Sequence, residues 1–217
     1  MKNDAQLQRD VMAELKWDNS IDASRIGVEV SDCVVTLSGH VDNYSQKWNA
    51  ERAAQKVSGV KALAVEIDVN LPGSSKKSDT DIARTAENVL EWTSNFPRNH
   101  IKVMVENGWI TLTGEIDYEY QRELAVSAVR NLMGVTGVSN QITVKPTLLV
   151  TSVKSDIEAA LKRRALTDSG EILVTVHGGT VTLTGVVHSW SERDMVIDSV
   201  WNSAGVSDVN DNISIVN

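Results

Sequence analysis

The chain has 217 residues, of which 41% are hydrophobic and 23% charged, a composition typical of a globular, water-soluble protein. Its 21 basic and 29 acidic residues give a formal net charge of −8, which argues against nucleic acid as a partner because binding to phosphates relies on Lys and Arg. A single cysteine, Cys33, excludes an internal disulfide, and no apolar run approaches the roughly 18–20 residues that would cross a bilayer.

The N-terminal segment MKNDAQLQRDVMAEL has no apolar core of the kind that a secretory signal needs. We therefore expect a cytoplasmic protein. The alternative is that a secretory signal peptide has been removed from this sequence.

A threefold repeat organises the chain. The segments VVTLSGHV (34–41), WITLTGEI (109–116) and TVTLTGVV (180–187) are near copies of one another. Two sets of glycines recur with the same separations, 75 and then 71 residues: Gly39, Gly114 and Gly185, and Gly59, Gly134 and Gly205. The repeat predicts three tandem domains at 1–70, 78–145 and 151–217, joined by linkers at 71–77 and 146–150.

Each copy begins with a helical pattern. Apolar residues recur every four positions, as expected for one face of a helix that covers a core. These positions are Leu7, Val11 and Leu15; Ile82, Ala86 and Leu90; and Val153, Ile157 and Leu161. Ser78 is a suitable N-cap for the helix of the second copy.

Two strands follow the first helix. Ile101, Val103 and Val105 alternate with polar residues, and the same alternation is present at 26–30 and 172–176, which predicts half-buried strands. In the second copy, the Asn-Gly pair at 107–108 favours a two-residue hairpin turn. Cys33 falls in the equivalent turn of the first copy, where a tolerated substitution explains it better than a reactive thiol.

A second helix is predicted at 44–57, 118–132 and 189–202, followed by a last strand. The resulting fold class is α+β, with three tandem αββαβ domains. Each domain is expected to hold a three-stranded mixed sheet with both helices on one face, since this arrangement buries every apolar stripe.

Together, these motifs resemble those of a known family. Two glycines lie 20 residues apart in each copy. The first ends the motif V/I-T-L-S/T-G, and the second begins the motif GVxxVxNxI. These motifs, at this spacing, resemble those of the BON domain of bacteria. The second copy fits best, with Gly134, Val138 and Asn140, whereas the first copy has Leu63 and Val65 where the pattern has Val and Asn. The resemblance implies a non-enzymatic αββαβ module that attaches proteins to phospholipid membranes and is associated with osmotic and envelope stress. Many relatives carry export signals, and for a cytoplasmic form we expect either a peripheral contact at the inner membrane or a soluble role.

No residues converge on a catalytic or metal site in the sequence pattern. The four histidines, His40, His100, His177 and His188, share no aligned position. The segment DVNDN at 208–212 has the first spacings of a calcium loop but lacks its Gly and Glu, so a polar face on an edge strand is the simpler interpretation. The motif glycines are expected to be structural, through a positive φ or close approach to a helix. We expect no enzyme activity, no metal and no cofactor.

The candidate contact surface lies where the copies differ. Met104 and Trp109 are predicted to be diagonal neighbours on the open face of the second sheet, unless a neighbouring copy covers that face. Trp17 and Trp92 align at the end of the first helix, where either a membrane contact or a place at the edge of the core would suit them. The third copy carries the basic cluster Lys162, Arg163 and Arg164 in this region.

The predicted function is a non-catalytic protein that associates with a phospholipid membrane surface and is linked to osmotic and envelope stress. The alternative is a soluble stress-response protein that binds an ion or a protein partner through its open sheet faces. Nucleic acid is not expected as a partner under either hypothesis.

Overall fold

A computed structural model of the chain describes residues 3–93, 100–145, 157–159, 172–177, 179–203 and 206–216. The helices with defined bounds are α1 (Asp4–Trp17), α2 (Tyr44–Lys56), α3 (Asp79–Trp92), α4 (Glu119–Arg130) and α5 (Trp190–Trp201). The strands are β1 (Ile26–Ser31), β2 (Val34–Val41), β3 (Ala62–Val69), β4 (Ile101–Glu106), β5 (Trp109–Ile116), β6 (Gly137–Val144), β7 (Ile172–His177), β8 (Thr180–Val187) and β9 (Asp208–Ile215). Residues 157–159 are also helical, in the place predicted for the first helix of the third copy.

Three separate sheets have the same topology. In each, the first two strands form an antiparallel hairpin and the third strand pairs in parallel with the second, in the orders β1-β2-β3, β4-β5-β6 and β7-β8-β9. The register is also repeated, because Ile26, Ile101 and Ile172 lie opposite Gly39, Gly114 and Gly185. The predicted α+β class with three repeated units is confirmed.

Each domain has its own hydrophobic core. The stripes predicted on the first helices of domains 1 and 2 are buried, and so is Ile157 in domain 3. They pack over inward residues of the central strand, such as Leu37, Leu112 and Leu183, which are fully buried. Small residues on the second helix, including Ala54 and Ala125, allow it to lie close to the sheet. Val153 and Leu161 lie outside the described residues.

The motif glycines are required by the backbone. Gly114 has a φ of +145°, and a Cβ there would lie 2.0 Å from the carbonyl oxygen of His100. Gly39 has a φ of +124° and the same close approach, 2.1 Å, to the carbonyl oxygen of Arg25. The predicted positive φ is therefore correct, but the close approach is to the chain that enters the first strand of the hairpin and not to a helix. Gly134 does face a helix, through Ile82, and Gly205 lies outside the described residues.

An aspartate at the start of the first helix holds the hairpin turn. The carboxylate of Asp79 accepts hydrogen bonds from the backbone N–H groups of Asn107, at 2.8 Å, and Gly108, at 2.9 Å. Asp4 accepts the same pair of bonds from Asp32 and Cys33 in domain 1. Both turns have positive φ angles at their two central residues, which leaves the N–H groups available to one acceptor. This link between helix and hairpin is not visible in either segment alone.

The second helices connect the three domains. At the start of α2, Tyr44 packs against the core of domain 2, and Ser45 hydrogen bonds with Asn131 just after α4. The guanidinium of Arg130 on α4 lies over the ring of Trp48 on α2, with 3.5 Å from Cζ to the ring centroid. The beginning of α2 is therefore joined to the end of α4.

Similar contacts between second helices join domain 2 to domain 3 and domain 3 to domain 1. Arg122, near the start of α4, lies 5.0 Å from the ring centroid of Trp201 at the end of α5, and Trp201 packs against the cores of both domains 2 and 3. At the start of α5, Trp190 packs against the core of domain 1. Ser58, just after α2, donates a hydrogen bond to the carbonyl oxygen of His188 at 3.3 Å.

These contacts close into a ring. Tyr44, Glu119 and Trp190 are equivalent residues, separated by the repeat distances of 75 and 71, and each begins a second helix. The start of each second helix meets the end of another domain's second helix, in the order 1 to 2, 2 to 3 and 3 to 1. A head-to-tail contact that closes after three steps is a cyclic arrangement, here formed within one chain. We call these contacts joint 1–2, joint 2–3 and joint 3–1.

Replacing Gly114 with alanine is expected to lower the free energy of unfolding of domain 2 by roughly 2–3 kcal/mol, because the new Cβ meets a backbone oxygen at a positive φ. Urea denaturation measures the loss. Gly73→Ala is the matched control, since nothing lies within 4 Å of a Cβ at that linker position. Equal stability of the two variants would contradict the assignment.

Replacing Tyr44 with alanine is expected to weaken joint 1–2 by about 1–2 kcal/mol, because apolar area buried against domain 2 is lost. Calorimetry should then resolve separate transitions for domains 1 and 2 where the parent chain melts more cooperatively. Tyr120→Ala removes a tyrosine that is 47% exposed on α4 and should leave the transitions as they are. Indistinguishable traces for the two variants would show that Tyr44 does not couple the domains.

Candidate functional site

Two tryptophans are the most exposed large apolar residues in the described part of the chain. Trp17 ends α1 and is 83% exposed, and Trp92 ends α3 and is 88% exposed. The interpretation that places them at the edge of the core is therefore wrong. Two aligned indoles stand in solvent at the same place in two domains, which no requirement of folding explains.

The sequence contains the reason for this exposure. Trp17 follows Leu15, the last buried residue of the α1 stripe, by two positions, and Trp92 follows Leu90 in the same way. Two residues along a helix correspond to about 200° of rotation, so a residue at this spacing points away from the core. Spacing from the stripe, and not residue type, is the signal that identifies them.

Met104 and Trp109 form an apolar patch on the open face of the second sheet. They are 60% and 49% exposed, so the alternative that a neighbouring copy covers this face is wrong. Trp109 lies opposite Glu106 in the register, which makes Met104 its diagonal neighbour. The indole rests on Gly137 of β6, where a Cβ would lie only 2.2 Å from the ring. The equivalent of Gly137 is Ala or Asp in the other copies, so this seat for a large ring is particular to domain 2.

The other candidate residues are the basic cluster of the third copy and the four histidines. Lys162, Arg163 and Arg164 lie outside the described residues. All four histidines are exposed, at separate points. Among the described residues, no group of three His, Cys, Asp or Glu side chains is close enough to hold a metal ion. The helices in this part of the chain include none with the length and apolar character needed to cross a membrane.

The polar residue of the GVxxVxNxI motif serves the backbone. The side chain of Asn140 accepts a hydrogen bond from the N–H of Ile142 at 3.1 Å, and Asp211 accepts one from Ile213 at 2.9 Å. Asp211 also pairs with Arg193 on α5 at 2.5 Å. The DVNDN segment is thus part of edge strand β9, and one of its carboxylates is already engaged within domain 3.

A buried acid lies at joint 2–3, and no pattern within one copy of the sequence predicts it. Glu119 is only 8% exposed, and one carboxylate oxygen pairs with Arg122. The other oxygen, Oε2, is buried and has no hydrogen-bond partner among the described residues. Burial raises the pKa of Glu119 to about 7, against the opposing attraction of Arg122.

Two other half-buried acids on the second helices show the same direction. Burial raises the pKa of Glu51 on α2, and it also raises the pKa of Asp194 on α5, whose carboxylate pairs with Arg52 across joint 3–1 at 3.2 Å. Each second helix therefore carries one carboxyl group whose pKa is raised by burial.

An open cleft of about 690 Å³ lies where the first linker meets domain 2. Lys76, Lys77 and the turn at Asn107 and Gly108 contribute to its lining. The turn N–H groups are already bound by Asp79, so they are not free to receive an anion. The apolar surfaces are therefore better candidates for binding than this cleft.

Comparison with known proteins agrees with this fold. The family model described as the BON domain matches three times, at residues 3–70, 78–146 and 150–217. The chain is also 30% identical over 147 residues to the osmotically-inducible protein Y of Escherichia coli strain K12, an alignment that covers 66% of this chain and 73% of that protein.

Solved structures give weaker likenesses. CdsD, a structural protein of the type III secretion system of Chlamydia trachomatis, matches at 15% identity and a TM-score of 0.26, with 97% of this chain and 92% of that chain covered. The PrgH periplasmic domain matches at 15% identity and a TM-score of 0.23, covering 89% and 96%. Scores this low support no functional conclusion. The three family matches span nearly the whole sequence, and the chain therefore belongs to the BON domain family, with three copies in tandem.

Proposed function

We propose that this protein is a non-catalytic, peripheral membrane-binding protein that attaches to phospholipid through the exposed ends of its first helices. The observation that carries the proposal is the exposure of Trp17 and Trp92, at 83% and 88%. Indoles placed at the end of a helix favour the boundary between lipid headgroups and acyl chains, because the ring is apolar and its N–H is polar.

The ring supports simultaneous contact by more than one domain. Equivalent points of a cyclic arrangement lie at the same level along its axis, so we infer that Trp17 and Trp92 project from the same rim. Two weak insertions on one rigid body strengthen each other, because the second forms at a high local concentration. A flat surface such as a membrane suits this geometry better than a small ligand does.

Charge limits the strength and selectivity of this attachment. The net charge of −8 gives no general attraction to anionic lipid, so the apolar indoles must supply much of the binding free energy. Lys162, Arg163 and Arg164 occupy the region of the third copy that aligns with the tryptophans, and they would add a local preference for anionic headgroups.

A role in osmotic stress is part of the same proposal. It rests on the similarity to the osmotically-inducible protein Y and on the shared family. Peripheral attachment by a folded ring is compatible with such a role, because binding can be reversed without unfolding the protein.

The membrane proposal predicts that the double variant Trp17→Ala, Trp92→Ala binds lipid vesicles at least tenfold more weakly than the parent chain. Each substitution removes apolar area equivalent to about a factor of ten in affinity. Flotation with vesicles of phosphatidylcholine, alone and with one quarter phosphatidylglycerol, measures the partition coefficient at low salt.

Trp109→Ala is the matched control, because it removes an exposed indole from a sheet face and leaves both helix ends intact. It should bind vesicles like the parent chain. The membrane proposal fails if the parent chain floats with neither type of vesicle, or if the double variant and the control bind equally.

A soluble role with a protein partner is the second candidate, and the Met104–Trp109 patch favours it. An apolar patch on an open sheet face, with a glycine that seats the indole, can bury area against another protein. A bound ion is less suited to this surface, because Met and Trp offer no hard ligand.

For this candidate, Met104→Thr with Trp109→Thr should abolish co-purification of a bound protein from bacteria grown at high osmolarity. The threonines copy the residues Thr175 and Thr180 of the third repeat, so the sheet should be preserved. Quantitative mass spectrometry compares the variant with the parent chain and with the Trp17, Trp92 double variant. A partner retained by the threonine variant would exclude the patch as its binding surface.

A further inference from the structure

Joint 2–3 differs from the other two joints at the first position of its second helix. The first position of the second helix is Tyr44 at joint 1–2 and Trp190 at joint 3–1, and both rings pack against the core of the neighbouring domain. At joint 2–3 the equivalent residue is Glu119. A buried carboxyl group thus occupies the position that a partly buried aromatic ring has at the other two joints.

The surroundings of Glu119 disfavour a negative charge. Its side chain is 92% buried, that is, 8% exposed, and Oε2 has no partner in the described part of the chain. On α4 it faces the cation Arg122 and the acid Glu123, and on α5 it faces the acid Asp198. Arg122 also contacts the ring of Trp201 across the joint, so its charge is shared between two interactions. One cation therefore faces three carboxyl groups, counting Glu119 itself.

We propose that joint 2–3 is a proton-dependent latch, which closes when Glu119 is protonated and opens when Glu119 is ionised. Joints 1–2 and 3–1 are held by Tyr44 and Trp190 and stay closed. Opening then releases domain 2 from domain 3 at one edge, while domain 1 continues to hold both. The contact between Arg122 and Trp201 is the part of the joint that forms and breaks. Water is excluded from this contact while Glu119 is protonated.

The direction of the pH dependence follows from the pKa of Glu119. It is about 7 in the closed joint, because burial raises it above the ordinary value of 4.5 that an exposed side chain would have. The closed state therefore binds the proton more tightly than the open state does. Closing becomes more favourable as the pH falls from about 7 towards 4.5, and ionisation opposes it fully above about pH 7.

Asp194 at joint 3–1 is a second acid whose ionisation has to be distinguished from that of Glu119. Burial also raises the pKa of Asp194 at joint 3–1, which gives the same sign. The ionised carboxylate of Asp194 pairs with Arg52 across joint 3–1, so its charge helps to hold that joint, whereas Glu119 pairs with Arg122 on its own helix. A neutral variant at position 119 alone distinguishes the two joints.

The test measures the distance between domains 2 and 3 in the intact chain. Spin labels are attached at Met133→Cys and Leu173→Cys in a Cys33→Ser background, since Met133 and Leu173 are 56% and 62% exposed. Double electron–electron resonance then gives the distance distribution at pH 5.5 and at pH 8.5. We expect one narrow distance at pH 5.5 and a broader, longer distribution at pH 8.5, with at least a tenfold change in the ratio of closed to open molecules.

Three variants make the result specific. Glu119→Gln removes the ionisation, and Glu119→Tyr copies Tyr44, so both should remain closed at pH 8.5. Glu87→Gln removes an exposed carboxylate from α3 of the same domain and should keep the response of the parent chain. The latch is excluded if the parent distance does not change with pH, if both Glu119 variants respond as the parent does, or if both are open at pH 5.5. Because the tyrosine variant reproduces a packing solution already present in this chain, the test survives if the glutamine variant fails to fold.

Discussion

The packing of the first residue of each second helix against a neighbouring domain is the constraint on which the rest of the molecule depends. Because Tyr44 and Trp190 pack against the cores of other domains, their second helices are held on both sides, by their own sheet and by a neighbour. They therefore occupy the inside of the ring. The sheet faces opposite the helices and the ends of the first helices remain outside, which is where the exposed Trp92 and Trp109 are found.

Much of the fold could be predicted from the sequence, because the information that specifies a domain is repeated. The burial of Leu7, Val11 and Leu15 and the positive φ of Gly114 both follow from patterns within one copy. The ring could not be predicted in this way. Its joint residues are a tyrosine, a glutamate and a tryptophan, and no pattern links three side chains of such different chemistry until the domains are placed in contact. The aspartate that holds the hairpin turn was missed for the same reason, since Asp79 and Gly108 are 29 residues apart.

The candidate surfaces were only partly predictable. The sequence predicts Trp17, Trp92, Met104 and Trp109 as contact residues but leaves their exposure open, because residue type alone does not say on which side of an element a side chain lies. The structure answers this through position relative to the buried stripe and through the glycine beneath Trp109. Features that all copies share serve the fold, and the surfaces that differ between copies are available for binding. Burial of a carboxyl group such as Glu119 depends on a neighbouring domain, so no periodicity within one copy could reveal it.

The head-to-tail character of the joints has a consequence for self-assembly. In a closed ring, the start and the end of every second helix are already in contact with a neighbouring domain. None of them is free to bind another molecule of the protein. A ring with one joint open exposes a matched pair, one start and one end, which fit each other equally well within one chain or between two. Exchange between chains would then compete with closure, and its outcome would depend on protein concentration and on the 71-residue or 75-residue repeat length that brings the two ends together. Because the three domains are covalently connected, the chain itself sets the number of domains in the ring. Separate copies of the domain would have to meet by diffusion to form the same interfaces.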